Sequence, residues 1–225
     1  MNINSITLSD VLPRVFIGAE KDSPVKDSQV WLHNLAFERG KTYLVEAESG
    51  TGKSSLCSFI YGNRRDYNGT ISFDNRDIAT LSIADWCDIR RHNLAILPQD
   101  MKLFGELTVL ENIDIKNRLT GTCSHDEIIA MLAELEIDHK AHQLAARLSI
   151  GQQQRVAIVR TLCQPFDFVI LDEPVSHLDS RNNANAAALI DRVARQRHAG
   201  IITTSVGNPL NIAPADDRPL IHIKL

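Results

Sequence analysis

Apolar residues fall into short runs separated by Gly-, Asn- and Asp-containing turns, some alternating as in strands and others recurring at helical spacing. Ile3-Asn4-Ser5-Ile6-Thr7-Leu8 alternates in part and predicts a strand, and Gln29-Val30-Trp31-Leu32 predicts the start of another. Residues 18–28 are polar and turn-rich and read as an exposed loop. Gly40-Lys41 reads as a turn before a strand at Tyr43–Val45. Leu56, Phe59 and Ile60 then recur at helical spacing, closed by Gly62-Asn63. Asn68-Gly69 predicts a turn, Thr70–Phe73 a short strand, and Asp74-Asn75 a reversal.

Leu94–Leu97 is a buried-strand candidate running into Pro98-Gln99. Beyond it the pattern turns helical. Thr108 with Glu111 and Ser124 with Glu127 form capping boxes, in which a hydroxyl and an acid three residues on satisfy the open N–H groups of a helix start. Ile128, Ile129, Leu132 and Leu135 supply an apolar face, so residues ~105–147 predict a small helical lobe set into a larger core. Ser149 with Gln152 opens a helix through Leu162. Phe168–Leu171 is a continuous apolar run of the kind buried on both faces of a parallel sheet. Ser180 is placed as the cap of a helix over ~181–197, Ile201–Thr204 as a strand, and Leu220–Leu225 as a final edge strand. Strands alternating with helices predict an α/β fold with a mostly parallel sheet.

Composition narrows the picture. At 225 residues, 44% of them hydrophobic, the chain can bury one large core. A net charge of −4 argues against nucleic acid as a partner. No apolar run approaches the roughly 18–20 residues that span a bilayer, and MNINSITLSD has neither the basic flank nor the apolar stretch of a signal peptide. Cys57, Cys87, Cys123 and Cys163 are far apart in sequence and read as reduced thiols. His139 and His142, with no third ligand nearby, read as a solvated pair.

The chemistry concentrates in VEAESGTGKSSLCSFIY, residues 45–61. A strand, a glycine-rich turn and a helix start make an anion site, where unpaired N–H groups converge and the helix dipole favours negative charge. Ser49, Gly50, Thr51, Gly52 and Ser55 line the turn. Lys53 would reach the β- and γ-phosphates, and the Ser54 hydroxyl would ligate Mg²⁺. Ala47 stands where the first glycine of the phosphate-loop consensus belongs. A second element, VILDEP at 169–174, ends a strand in two acids at its carboxyl edge, where α/β sheets bind ligands. Asp172 would hold the metal through its water shell, and Glu173 would orient the water attacking the γ-phosphate.

Leu148-Ser149-Ile150-Gly151-Gln152-Gln153-Gln154-Arg155 resembles the LSGGQ signature of ATP-binding cassette (ABC) ATPases, with Ile150 for the first glycine. RVAIVRTL at 155–162 resembles the helix that follows the signature, Gln99 the family's Q-loop glutamine, Ser176–Asp179 its D-loop, and LTVLENI at 107–113 the start of its helical lobe. The likeness runs from about Val30 to Leu225. It implies one P-loop NTPase domain over 1–225 with an N-terminal antiparallel β-subdomain and an inserted lobe. It also implies ATP and Mg²⁺ as cofactors, with Ser54, Gln99 and Asp172 toward the metal and Glu173, Lys53 and Gln99 as catalytic groups. Ser149, Gly151, Gln152 and Asp179 would face a nucleotide held by a second copy, and Phe16 is the candidate for stacking on adenine.

The family's histidine after the next strand is replaced here by Ser205, which is shorter and carries no charge. The resemblance therefore implies an ATPase with slowed turnover. It would be the subunit of a transporter, working as a homodimer with a separate integral membrane permease and peripheral at the inner face of the cell membrane. The alternative is a non-transport, ATP-gated interaction module.

Overall fold

The computed structural model describes residues 2–21 and 25–225. Among them, strands β3 (Thr42–Glu46), β6 (Leu94–Leu97), β7 (Phe168–Asp172), β8 (Gly200–Ser205) and β9 (Leu220–Lys224) form one parallel sheet in the order β6-β7-β8-β3-β9. Strands β1 (Ser5–Pro13), β2 (Leu35–Glu38), β4 (Tyr67–Phe73) and β5 (Arg76–Asp77) form an antiparallel sheet in the order β2-β1-β4-β5. The expected parallel core, antiparallel β-subdomain and final edge strand are all present.

The apolar run of β7 serves two cores. Phe168 and Ile170 join an apolar cluster with the antiparallel sheet and helix α1 (Lys53–Ile60). Val169 and Leu171 point the other way, into a cluster with helices α3 (Val109–Asn117), α4 (His125–Glu134), α5 (Ile150–Leu162) and α6 (Ser180–Gln196). Successive side chains on a strand leave opposite faces, so only a continuous apolar stretch can feed both layers. The helical lobe is α3 and α4, packed chiefly on α5 through this same cluster.

The three capping boxes read from the sequence close as predicted. Thr108, Ser124 and Ser149 each accept from the backbone N–H three residues on, and the side chains of Glu111, Glu127 and Gln152 accept in return. A fourth box escaped the reading. Ser82 and Asp85 start helix α2 (Ile83–His92), which buries Trp86 and Ile89; aspartate at the third position falls outside the Glu/Gln pattern sought.

Four local expectations need correction. Gln29–Leu32 is a turn, because Ser28 Oγ accepts from both Val30 and Trp31 N–H and bends the chain. The 18–28 stretch is not wholly exposed: Val25 and Ser28 are buried, while 22–24 lie outside the described residues. The cap of α6 is Asp179, whose carboxylate accepts from Asn182 N at 2.8 Å, and Ser180 is already helical. Asn68-Gly69 lies within β4, opposite a bulge where the β1–β4 register shifts between Ser9 and Leu12. Gly69 sits at φ +89°, and a Cβ there would meet Asp10 O at 2.3 Å. The substitution Gly69→Ala should therefore destabilise the protein by about 2–3 kcal/mol, as overpacking at a fixed backbone does, read as a lower urea midpoint. The Asp74-Asn75 reversal holds, both residues at positive φ between β4 and β5.

Cys123 and Cys163, forty residues apart in sequence, meet where the lobe reaches the end of α5. Contact with the Cys163 thiol, aided by the Arg197 guanidinium, holds the half-buried Cys123 thiol below its ordinary value, while the same contact and burial push Cys163 up. Alkylation of Cys123 by iodoacetamide, followed by mass spectrometry, should therefore level off at a lower pH than that of a free thiol, which ionises at about 8.5. His139 and His142 are both exposed.

Candidate functional site

The parallel order brings the carboxyl ends of β3, β6, β7 and β8 to one edge, and the chemistry-bearing residues follow those ends. The β3–α1 loop turns on Gly50 and Gly52 at φ +86° and +104°, a conformation that favours glycine. It is supported from below. Trp31, fully buried, donates its Nε1–H to Thr51 O at 3.0 Å, and its ring lies 2.9 Å from where a Gly52 Cβ would sit. Nothing in the residue pattern announces this, because the support comes from a turn twenty residues earlier. The Phe16 ring reaches the same point, 3.4 Å from that Cβ position, beside the exposed Val15 and Ile17.

Lys53 is buried at the first position of α1, and its ammonium donates to Ala47 O at 3.1 Å and Glu48 O at 2.6 Å. Burial pulls its pKa down, and the carboxylates of Glu173 and Asp172 pull it back up, so the three side chains share one electrostatic environment. Ser54 is exposed, with its hydroxyl 3.5 Å from Gln99 Oε1, which brings the ends of β3 and β6 together. Ser49 and Gly50 are exposed; Thr51 Oγ1 donates to Glu48 O at 3.0 Å, and Ser55 Oγ accepts from Arg64 at 2.9 Å.

On β7, Asp172 is buried and accepts from Thr204 Oγ1 at 2.8 Å. The same hydroxyl accepts from Glu173 N at 3.1 Å, so one threonine on β8 fixes both acids. Glu173 sits at φ +52°, a strained conformation for a non-glycine residue that must be held by its surroundings. Its carbonyl accepts from Gln154 Nε2 at 3.1 Å and Ser176 Oγ at 3.2 Å. Sequence reasoning gave Thr204 and Gln154 no role of their own: one stands in a predicted strand and the other inside the signature segment, and their partners come from other elements. Ser205, at the end of β8, is buried with an unpartnered hydroxyl. It borders an open cleft of about 830 Å³ lined by Glu46, Ala47, Glu48, Thr51 and His222. That cleft flanks the loop on its β9 side and does not include Ser54, Gln99, Asp172 or Glu173.

The start of α5 lies at the surface. Ser149 is exposed and Ile150 is 53% exposed. Gln152 spends its side-chain oxygen on Ser149 N, 2.9 Å away. A Cβ on Gly151 would meet His177 O at 2.9 Å, so the helix start and the 176–179 loop pack backbone to backbone. The arginines of α5 face inward: Arg155 donates to Leu135 O, and Arg160 to Met101 and Lys102 O, steadying the segment after Gln99.

The oxygen set of Ser54, Gln99 and Asp172 suits a hard divalent cation such as Mg²⁺, and the loop N–H groups with Lys53 suit a polyphosphate.

Comparison with known proteins gives the chain a family and a fold. The family model described as "ABC transporter" matches residues 32–176. The macrolide export ATP-binding/permease protein MacB of Shewanella oneidensis is 29% identical over 85% of this chain; the chain spans 29% of that protein's length. The dimeric structure of MJ0796, a bacterial ABC transporter cassette, superposes with a TM-score of 0.75 at 23% identity, over 97% of this chain and 94% of that one. A second MJ0796 dimer, a post-hydrolysis state bound to ADP and Pi, matches at TM-score 0.70 and 25% identity over 79% of each chain.

Proposed function

The chain belongs to the ABC transporter family, and from that premise we propose that it binds ATP with Mg²⁺ and hydrolyses it slowly, as the cassette subunit of a transporter. The observation that carries this reading is the convergence of Lys53, Asp172 and Glu173 at one sheet edge. Ser54, Gln99 and Asp172 would hold Mg²⁺, which would neutralise charge on the β- and γ-phosphates when bound. Lys53 exchanges its loop carbonyls for phosphate oxygens. Phe16 stacks on the base. Glu173, aimed by Thr204 and by the tether at its carbonyl, orients a water in line with the γ-phosphate and accepts its proton.

The exposed helix start at Ser149 and Gly151 has no phosphate of its own to bind, and Asp179 lies on the adjoining loop. A second copy, packed head to tail, would present its nucleotide there. The dimeric cassettes among the structural relatives support this arrangement. No helix among the described residues is long and apolar enough to cross a membrane. A membrane permease would be the partner, in keeping with the ATP-binding/permease relative, and would keep this subunit at the inner membrane face. Closure on ATP and reopening after hydrolysis would drive the permease.

Ser205 favours a second reading, an ATP-gated interaction module, because its short hydroxyl lacks any partner where an imidazole would reach the phosphate. The substitution Ser205→His decides how far this position limits the rate. A donor at developing charge typically contributes about 10²–10³ in rate, so turnover in a phosphate-release assay should rise by at least about tenfold. Unchanged turnover in a folded variant would remove Ser205 as the cause of slow hydrolysis. Co-purification from native membranes tests the transporter assignment: recovery of an integral membrane protein supports it, and purely soluble partners support the module.

A further inference from the structure

Gln154 is almost fully buried, 1% exposed, one turn into α5. All three of its hydrogen bonds leave the helix. Nε2 donates to Glu173 O at 3.1 Å and to Ser176 Oγ at 3.3 Å, and Oε1 accepts from His177 N at 3.0 Å. Glu173 is the residue at φ +52°, whose other backbone group is taken by Thr204. A carboxylate on a strained residue keeps its aim only while both ends of that residue are held. Two donors hold the carbonyl end, Ser176 Oγ and the Gln154 amide; the amide also donates to that serine, and it belongs to the helix whose exposed start is the proposed docking point for a second nucleotide. Gly151, three residues earlier, packs within contact distance of His177 O, so the helix start, the 176–177 loop and Glu173 are joined through one buried side chain.

We propose that Gln154 is a positioning residue for the hydrolytic reaction: it sets the aim of Glu173. The inference rests on the ATPase reading above.

Two full-length variants test this beside the unaltered protein. Gln154→Glu keeps an oxygen for His177 N–H but removes the donor to Glu173 O; Gln154→Met fills the same space and removes all three bonds. Misplacing a reacting group by an ångström typically costs about 10²-fold in rate, so kcat should fall roughly 10- to 100-fold in both. KM for ATP and the binding of a fluorescent ATP analogue should stay near their unaltered values, because the phosphate loop is untouched, while the melting temperature falls modestly as buried polar groups lose partners. Equal kcat in all three proteins would overturn the role of Gln154 and leave the ATPase reading intact. So would a parallel loss of kcat, ATP binding and melting temperature in both variants, which would mark a purely structural residue. An unaltered protein that neither binds the analogue nor releases phosphate would sink the ATPase reading itself, and this inference with it.

Discussion

Glu173→Gln should lower steady-state ATP turnover by about 10²–10⁴-fold, the usual contribution of a positioned general base. The amide is isosteric and can still meet a water, but it cannot take the proton as the γ-phosphoryl group leaves. The backbone bonds that fix this residue, from its N–H to Thr204 Oγ1 and from Gln154 Nε2 to its carbonyl, do not involve the side chain, so the local geometry survives the change. ATP binding should persist, and without hydrolysis the closed state accumulates. Size exclusion with light scattering should show a dimer in Mg-ATP and a monomer after ATP is removed. A variant that stays monomeric in saturating ATP would count against the two-copy site.

Lys53→Ala should act on binding instead. In the structure the ammonium rests on Ala47 and Glu48 carbonyls and lies within the field of Asp172 and Glu173. Hydrogen bonds to charged groups contribute about 1.5–3 kcal/mol, so ATP affinity should fall by about ten- to a hundredfold. Burial already depresses the Lys53 pKa, and an incoming triphosphate stabilises its charged form. Titration with a fluorescent ATP analogue measures the loss. Affinity unchanged in the folded variant would place the triphosphate elsewhere, and the cleft beside Ser205 and Glu46 would be the next location to examine.

Much of this was legible in the sequence where function and local physics coincide. A capping box is a contact between residues three apart, so Thr108, Ser124 and Ser149 announce their helices without knowledge of the fold. Phe168–Leu171 announces a doubly covered strand because every position is apolar. The phosphate loop is legible because Gly52 and Lys53 must be adjacent to do their work. The misses share the opposite property. Trp31 supports the loop from twenty residues away, and Gln154 reaches Glu173 across nineteen. Gly69 looked like a turn because the requirement for positive φ is the same in a turn and in a bulge; only the shifted β1–β4 register separates the two. The Asp179 cap was placed one residue late because aspartate and serine cap almost equally well.

In the proposed pair, each ATP is held by the loop of one copy and closed over by the α5 start of another. Ser149→Asp breaks the helix half of such a site: aspartate keeps the helix cap but puts negative charge where the partner's phosphate would sit, on an exposed position. Lys53→Ala breaks the loop half instead. Each variant alone should be nearly inactive, since every site contains one damaged half. Mixing the two purified proteins should restore ATP hydrolysis, because a mixed pair contains one site built from an intact loop and an intact helix start. A mixture no more active than its parents, with both proteins folded and associating, would contradict the account.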